Sequence, residues 1–219
     1  MGKFSSTLGA IVLATASLAG CGSDSDSSGP NVVEPGADVN GTTQVELAEL
    51  LTKGWVSVAA ESNSIIDPAN CDMGLSTDDF YLAPSWGAPG TSAAACSMDA
   101  DQALVLSPAG LMCVATQGDG GASPECFEEN WDLTSATVSV DGEVFDDWEA
   151  HVVDTELFPV SLVDGNIFEV PAEDTEMRAR QVIFVVEGLA EGEHDIVLAG
   201  DFADGEFAGQ LDLTLTVEG

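Results

Sequence analysis

The clearest pattern in the chain is a strict alternation of apolar and polar residues close to its end. Over residues 210–217 every second position is Leu or Val, from Leu211 to Val217, and the positions between them are polar. Successive side chains of a strand point to opposite faces, so this segment predicts a strand with one buried and one solvated face. Such a strand needs partner strands and a second apolar layer. We therefore predict an all-β domain, an antiparallel β-sandwich of immunoglobulin-like or jelly-roll-like type.

Short apolar segments between turn residues predict further strands after residue 70. Asp141 and Gly142 separate two of these segments and favour a two-residue hairpin, because that turn needs positive φ at both positions. Segments 87–91 and 117–123 are rich in Gly, Pro and Ser and predict loops. The predicted strands are residues 79–82, 102–106, 111–115, 134–140, 143–145, 150–155, 159–162, 181–186, 194–199 and 210–217.

A helical period precedes these strands. Thr43 and Glu46 have the spacing of a capping box, which marks the start of a helix. Leu47, Leu51 and Trp55 then fall on one helical face together with other apolar residues. The pattern predicts one short N-terminal amphipathic helix over residues 44–60.

The first 21 residues have the features of an export signal. Lys3 precedes an apolar run over residues 8–18, which is too short to span a bilayer comfortably. The sequence Leu18-Ala19-Gly20-Cys21 follows directly and resembles a bacterial lipobox. That resemblance implies cleavage before Cys21 and attachment of lipid to its sulfur. The alternative is a buried cysteine in an N-terminal helix.

Composition then divides the chain into three parts. Residues 1–20 are predicted to be a lipoprotein signal peptide. Residues 21–41 are rich in Ser, Asp, Gly and Pro, cannot bury enough apolar surface to order themselves, and predict a disordered acidic tether. Residues 42–219 are predicted to form a single β-sandwich domain.

The charge balance changes the expected surroundings of this domain. Asp and Glu number 39 against 4 Lys and Arg, a formal net charge of −35. Self-repulsion at such a charge predicts a working solvent salty enough to screen it. A disordered acidic protein and a calcium-loaded protein are the competing interpretations. The negative surface disfavours nucleic acid and anionic lipid as partners, and leaves cations and cationic or neutral ligands open.

Four cysteines remain once Cys21 is assigned to lipid. In an exported chain they predict two disulfides, for which three connectivities exist. Cys71–Cys96 and Cys113–Cys126 are favoured, because each closes a local loop. A four-cysteine zinc site is the alternative, although the paired short spacings of such sites are missing.

Residues that could carry chemistry are few. His151 and His194 are the only histidines, too few for a metal cluster or a proton relay. Carboxylates are so abundant that pairs at glycosidase separation carry no information. Oxygen ligands for Ca²⁺ could come from residues 201–206, although a solvated hairpin tip is the simpler interpretation. We therefore predict no catalytic residue, no metal site and no cofactor, with Ca²⁺ as the alternative.

Aromatic residues offer one further hypothesis. Trp86, Trp131, Trp148 and Tyr81 could form a platform on which a sugar stacks. Aromatic residues of strands more often belong to the core, because their burial contributes so much to it.

Several motifs together are similar to a family of uncharacterised secreted or lipid-anchored β-sandwich proteins of environmental bacteria. The family has a Trp-containing helix, a Cys…Gln-Ala-Leu strand and a C-terminal Gly-x-His-x-Ile hairpin. The matching residues here are Trp55, Asp67, Cys71, residues 80–83, Cys96, residues 102–108, residues 140–142, residues 166–168, Leu189 and residues 192–196. One departure is Asp99-Ala100-Asp101, where the family commonly has Pro-Ala-Gly. The resemblance implies export and an all-β fold and supplies no mechanism.

These observations predict a cell-envelope lipoprotein, outside the cytoplasm, that acts as a surface-anchored binding or structural module in high salt. Its expected partners are the membrane, through the lipid anchor, and an unidentified ligand or protein. The alternative is a secreted, carboxylate-dependent hydrolase of glycosidase type. The absence of a nucleophile or metal motif favours the binding module over the enzyme.

Overall fold

The computed structural model describes residues 29–63, 65, 67–71, 76–115, 122–205 and 207–219, without the side chain of Asp204. The described residues are mostly β, with 47% in strands and 16% helical. Within the described residues the strands are β1 (Asn31–Val32), β2 (Phe80–Leu82), β3 (Gly90–Asp99), β4 (Ala103–Val114), β5 (Leu133–Val140), β6 (Glu143–Phe145), β7 (Val152–Asp154), β8 (Phe158–Ser161), β9 (Asp174–Glu187), β10 (Gly192–Phe202) and β11 (Phe207–Glu218). The helices are α1 (Gln44–Ser57) and α2 (Glu125–Asn130), with 3₁₀ turns at Ala60–Ser62, Trp148–His151 and Ala203–Gly205.

The strands form two sheets. The first is built around the long strand β9, which pairs with β4 along one side and with β8, β7 and β1 in turn along the other. Strand β2 pairs with the far side of β4. The second sheet has the order β3-β11-β10-β5-β6. Its centre is the hairpin of β10 and β11, which pair along their whole length from Gly192↔Val217 to Phe202↔Phe207.

Both sheets are mixed, so the prediction of purely antiparallel pairing is wrong at two places. Strand β3 runs parallel to β11, and β2 runs parallel to β4. After β2 the chain enters the second sheet as β3 and returns to the first sheet as β4. This excursion through the opposite sheet supplies the crossover that parallel neighbours require and that a hairpin cannot provide.

The inner faces of the two sheets share one apolar core. Leu104, Val182 and Phe184 from the first sheet lie in the same buried cluster as Ile196 and Leu213 from the second. The predicted alternation of the last strand is confirmed: Leu211, Leu213, Leu215 and Val217 are all buried, and the residues between them reach solvent. The predicted hairpin turn is also confirmed, with φ of 52° at Asp141 and 85° at Gly142.

Helix α1 packs on the outer face of the first sheet. Its capping box is formed: the Thr43 hydroxyl accepts from the Glu46 backbone N–H, and the Glu46 carboxylate accepts from the Thr43 N–H at 2.8 Å. Leu47, Leu51 and Trp55 lie in one buried cluster with residues of the outer sheet face. The helix ends at Ser57, before the predicted residue 60, because Val58 is extended.

The predicted tether is ordered over its last part. Asn31 and Val32 pair with Glu187 and Val186 as β1, and Val33 and Val39 are buried. The three valines in this segment supply apolar area that a fully solvated tether lacks, so the disordered boundary at residue 41 is wrong. Residues 21–28 lie outside the described residues.

Two disulfide bonds hold the edges of the fold. Cys71–Cys96 joins the segment before β2 to β3, and Cys113–Cys126 joins β4 to α2. These are the pairings that the sequence favoured, and they indicate an oxidising environment. Helix α2 and Trp131 cover Arg180 on β9, with the guanidinium 4.9 Å from the Phe127 ring and 5.6 Å from the Trp131 ring.

Candidate functional site

A small cleft lies at one end of the two sheets. It encloses about 180 Å³ beside a bulge in β4, where the register with β9 shifts between Leu106 and Ala109. Pro108 lies in this bulge and has no N–H to offer a neighbouring strand. Four aromatic residues from separate parts of the chain line the cleft: Trp55, Trp86, Phe202 and Phe207. The other lining residues are Ile65, Ser85, Gly87, Pro108, Ala109, Gly110 and Met112.

Trp86 is held in place by glycines and by one hydrogen bond. Its indole N–H donates to the Pro108 carbonyl at 2.8 Å, and the side chain is only 7% exposed. A Cβ at Gly209 would lie 2.0 Å from the Trp86 ring, and a Cβ at Gly200 would lie 2.7 Å from it. The β10–β11 hairpin therefore needs glycine at both positions to let the indole lie against its backbone.

The aromatic surface continues from Trp86 to the mouth of the cleft. The Phe207 ring centroid lies 5.7 Å from that of Trp86, and 40% of the Phe207 residue surface is exposed. Phe202 meets Trp131 edge to face at 5.7 Å. Both separations fall within the range that aromatic pairs prefer. The cleft thus has one exposed ring, that of Phe207, the half-buried ring of Phe202, and the buried rings of Trp55 and Trp86.

The Arg180 side chain packs against Trp131, which in turn contacts Phe202 of the cleft. Its guanidinium stacks near Trp131 and donates two hydrogen bonds of 2.6 Å to the Asp154 carboxylate. These hydrogen bonds, with the charge of Asp154, raise the pKa of Arg180 against the opposing effect of burial. The positive charge beside Trp131 is therefore matched by a carboxylate.

Trp55 lines the cleft and carries a buried polar atom without a partner. The residue is 3% exposed, and its indole Nε1 has no hydrogen-bond partner. Gln181 lies nearby on β9: its amide nitrogen donates to the Thr52 hydroxyl at 2.6 Å, and its carbonyl oxygen has no partner. A Cβ on the lining residue Gly110 would lie 3.2 Å from the Gln181 side chain. Buried polar atoms are almost always hydrogen-bonded, so these two atoms are exceptions in the packing beside the cleft.

The cleft differs in charge from two larger depressions of the surface. No charged side chain lines it among the described residues, although the chain carries a net charge of −35. Two larger depressions, of about 670 and 440 Å³, are both lined by carboxylates. Asp174 and Glu176 lie in the first of these, and Asp99 and Glu218 in the second. The aromatic cleft is thus an uncharged site on an acidic protein.

The two histidines lie apart and outside this cleft. His151 is buried, stacks on Phe184 with 4.0 Å between ring centroids, and places Nδ1 3.1 Å from the Ile183 carbonyl. His194 lies at the start of β10, with Nδ1 2.7 Å from the Asp141 carboxylate and Nε2 2.8 Å from the Ala190 carbonyl. Each ring is engaged in the packing of its own region.

The His194–Asp141 pair ties the β5–β6 turn to β10. Burial acts against the charged ring, but hydrogen bonding to Ala190 and to Asp141 outweighs it and raises the pKa of His194. Burial likewise acts against the Asp141 carboxylate, but hydrogen bonds from His194 and the Asp195 N–H outweigh it and lower the pKa of Asp141. Both shifts favour the ion pair.

The carboxyl groups with shifted pKa values are poorly suited to proton donation. A hydrogen bond from the Thr43 N–H lowers the pKa of Glu46, and one from the Ser123 hydroxyl lowers that of Glu125. The pKa of Asp141 is lowered as well. The acid of a glycosidase needs a raised pKa, so these three groups do not supply one.

The calcium alternative receives no support from the described part of the chain. Asp201 accepts a hydrogen bond from the Gly205 N–H at 2.6 Å, as a turn residue does. Glu206 and the side chain of Asp204 lie outside the described residues. Among the residues described, no group of three or more His, Cys, Asp or Glu is placed to hold a metal ion.

The sugar platform suggested by the sequence is not formed as proposed. Trp86 and Tyr81 are buried, and Trp131 and Trp148 are half-buried. Of these four, Trp86 alone lines the cleft, and its companions there are Trp55, Phe202 and Phe207, which the sequence analysis did not connect with it. Gly200 and Gly209 were the available signal, since paired glycines in a hairpin indicate close approach of another group. Cys21, the predicted lipidation site, lies outside the described residues.

Comparison with known proteins adds little. The chain matches no protein-family model and no curated protein. A solved structure described as PbICP-C in complex with falcipain-2 is 14% identical, with a TM-score of 0.25; the alignment covers 60% of this chain and 92% of that one. At this level of similarity the match bears on neither fold nor function. In the described residues, no helix combines the length and the hydrophobicity needed to cross a bilayer.

Proposed function

We propose that this protein is an extracytoplasmic lipoprotein of the cell envelope that binds a small ligand in its aromatic cleft and works in high salt. The single observation that carries the binding role is the uncharged cleft with four aromatic residues. Apolar surface that is exposed to water costs free energy, and proteins retain it where it binds a ligand or a partner. The two mixed sheets with a shared core support a β-sandwich, a fold that commonly carries binding sites at its ends.

The lipobox-like sequence at residues 18–21 supports anchoring to the membrane through Cys21. Cys21 lies ten residues before Asn31, the first residue of β1, so the lipid would be attached close to the domain in sequence. The two disulfides are consistent with a location outside the cytoplasm. The acidic surface makes nucleic acid an unsuitable partner.

The pattern of ion pairs supports adaptation to high salt. After residue 20 the chain has three basic residues, and each lies beside a carboxylate: Lys53 by Glu49 at 3.0 Å, Arg178 by Glu156 at 3.7 Å, and Arg180 by Asp154 at 2.6 Å. Most of the 39 carboxylates therefore lack a basic partner, and dissolved cations must screen them.

Ligand-observed NMR with a panel of small neutral and cationic compounds tests the binding role. The full chain in molar NaCl is compared with Phe207→Ala, which removes the exposed ring at the mouth, and with Val144→Ala. Val144 is a matched control because it is 61% exposed on β6 and does not line the cleft. We expect compounds that bind the unmodified chain to lose binding in Phe207→Ala and to keep it in Val144→Ala. Equal binding by all three proteins would place the site elsewhere.

A further inference from the structure

We infer that the aromatic cleft binds a quaternary ammonium group, such as that of choline. This inference rests on the proposed function, because it names the ligand class for the same site. Three observations lead to it: the aromatic lining, the absence of charge among the described lining residues, and the negative charge of the protein.

The aromatic lining suits a cation that does not form hydrogen bonds. The faces of Trp and Phe rings are electronegative and attract cations that approach within about 6 Å, and Trp is the best of the aromatic residues at this. Two Trp and two Phe line this one cleft. A quaternary ammonium has no N–H, so it needs no carboxylate or carbonyl to satisfy it. Metal ions and primary amines hold their water or need oxygen ligands, and the described lining has no carboxylate to offer them.

The charge of the whole protein favours a cation over an anion. With a net charge of −35, the surface attracts cationic ligands and repels anionic ones in dilute salt, and in molar salt this preference acts only over about 3 Å. The Arg180 guanidinium, which packs on Trp131, is paired with Asp154. It therefore presents little opposing charge to a ligand beside Phe202.

The volume and the polar atoms restrict the ligand further. A cavity of about 150 Å³ accommodates benzene, so 180 Å³ corresponds to about seven non-hydrogen atoms, the size of choline. The hydroxyl of Ser85 already donates to the Ser107 carbonyl, and the Pro108 carbonyl already accepts from Trp86. A sugar would bring several hydroxyl groups, more than these polar atoms can pair.

Isothermal titration calorimetry on the full chain in molar NaCl tests the charge requirement. The probes are choline and its neutral isostere 3,3-dimethyl-1-butanol, in which carbon replaces the charged nitrogen. We expect choline to bind at least about tenfold more tightly, as desolvated cation–π contacts allow. Phe207→Leu keeps an apolar wall and removes the ring, so it should reduce this ratio several-fold. Phe145→Leu, a half-buried ring on β6 outside the cleft, should leave it unchanged.

The outcomes separate this inference from the proposed function. If 3,3-dimethyl-1-butanol binds as tightly as choline, and Phe207→Leu weakens both equally, the cleft is a binding site for neutral ligands and the quaternary ammonium inference is wrong. If neither these probes nor neutral ring compounds such as p-cresol bind, the cleft is not a ligand site and the proposed function fails with it.

Discussion

Replacing Gly209 with alanine should displace Trp86 and test how the cleft is built. The new Cβ would lie 2.0 Å from one ring atom of Trp86 and within 2.6 Å of two more. The ring cannot move away freely, because its N–H is bonded to Pro108 and Gly200 lies under another edge. Overpacking of this kind costs about 1–3 kcal/mol, and a rigid indole held at two points favours the upper end.

A smaller effect acts in the opposite direction. Alanine has fewer unfolded conformations than glycine, which stabilises the folded state by about 0.4–1 kcal/mol where the backbone permits it. Gly209 is not among the glycines with positive φ, so its backbone permits alanine. The net expected loss in the free energy of unfolding for Gly209→Ala is about 2 kcal/mol.

Urea unfolding in molar NaCl measures this loss, since guanidinium chloride would itself screen the carboxylates. Gly110→Ala is the control: it also lines the cleft, but its Cβ would come no closer than 3.2 Å to the Gln181 side chain and 3.6 Å to the Arg180 carbonyl oxygen. Trp86→Ala alone should cost about 3–5 kcal/mol. In that background Gly209→Ala should be neutral or slightly stabilising, which gives a coupling energy of about 2 kcal/mol. If Gly209→Ala costs the same with and without Trp86, the indole does not impose glycine at this position.

Further predictions concern the surface, the ion pair and the anchor. The melting temperature should rise steeply between dilute buffer and molar NaCl, where the screening length is about 3 Å, and a melting temperature independent of salt would argue against the halophilic interpretation. The His194–Asp141 pair should stabilise the fold most between the ordinary pKa values of 3.8 and 6.5. Its contribution should fall as the pH drops through the lowered pKa of Asp141 or rises through the raised pKa of His194. The difference in unfolding free energy between the unmodified chain and His194→Gln, followed against pH, measures this, and a flat difference would contradict it. Cys21→Ser should abolish partitioning into detergent while leaving the melting curve unchanged; continued partitioning would mean that another feature anchors the chain. Mass spectrometry before and after reduction should find two disulfides and no zinc in the folded protein.

Local patterns in the sequence predicted the elements that local physics controls. The alternation in β11 places its Leu side chains in the core because a strand exposes successive residues to opposite sides. Asp141 and Gly142 form the expected turn because few residues tolerate positive φ at both positions. The favoured disulfides join residues that are close in sequence, where loop closure needs little chain entropy.

Two strands were missed because their stability comes from neighbours. Strand β3 consists mostly of Ala, Ser, Thr and Gly and has no apolar alternation, and it is a strand because β11 pairs with it in parallel along ten residues. Strand β1 has only two residues in a segment with the composition of a tether, and β9 supplies its hydrogen bonds. Strand pairing over long separations leaves no local pattern in the sequence.

The cleft is a product of tertiary structure alone. The sequence determined that Trp55 faces inward from a helix and that Gly200 and Gly209 lie in a hairpin, each for a local reason. Only the packing of that helix on the first sheet, and of the segment around Trp86 against the hairpin, brings the four aromatic residues together. The separation of Trp55 from Phe207 along the chain is more than half its length, so their proximity depends on the arrangement of both sheets. No single segment of the sequence reveals a site of this kind, because each of its residues already has a local role in the fold.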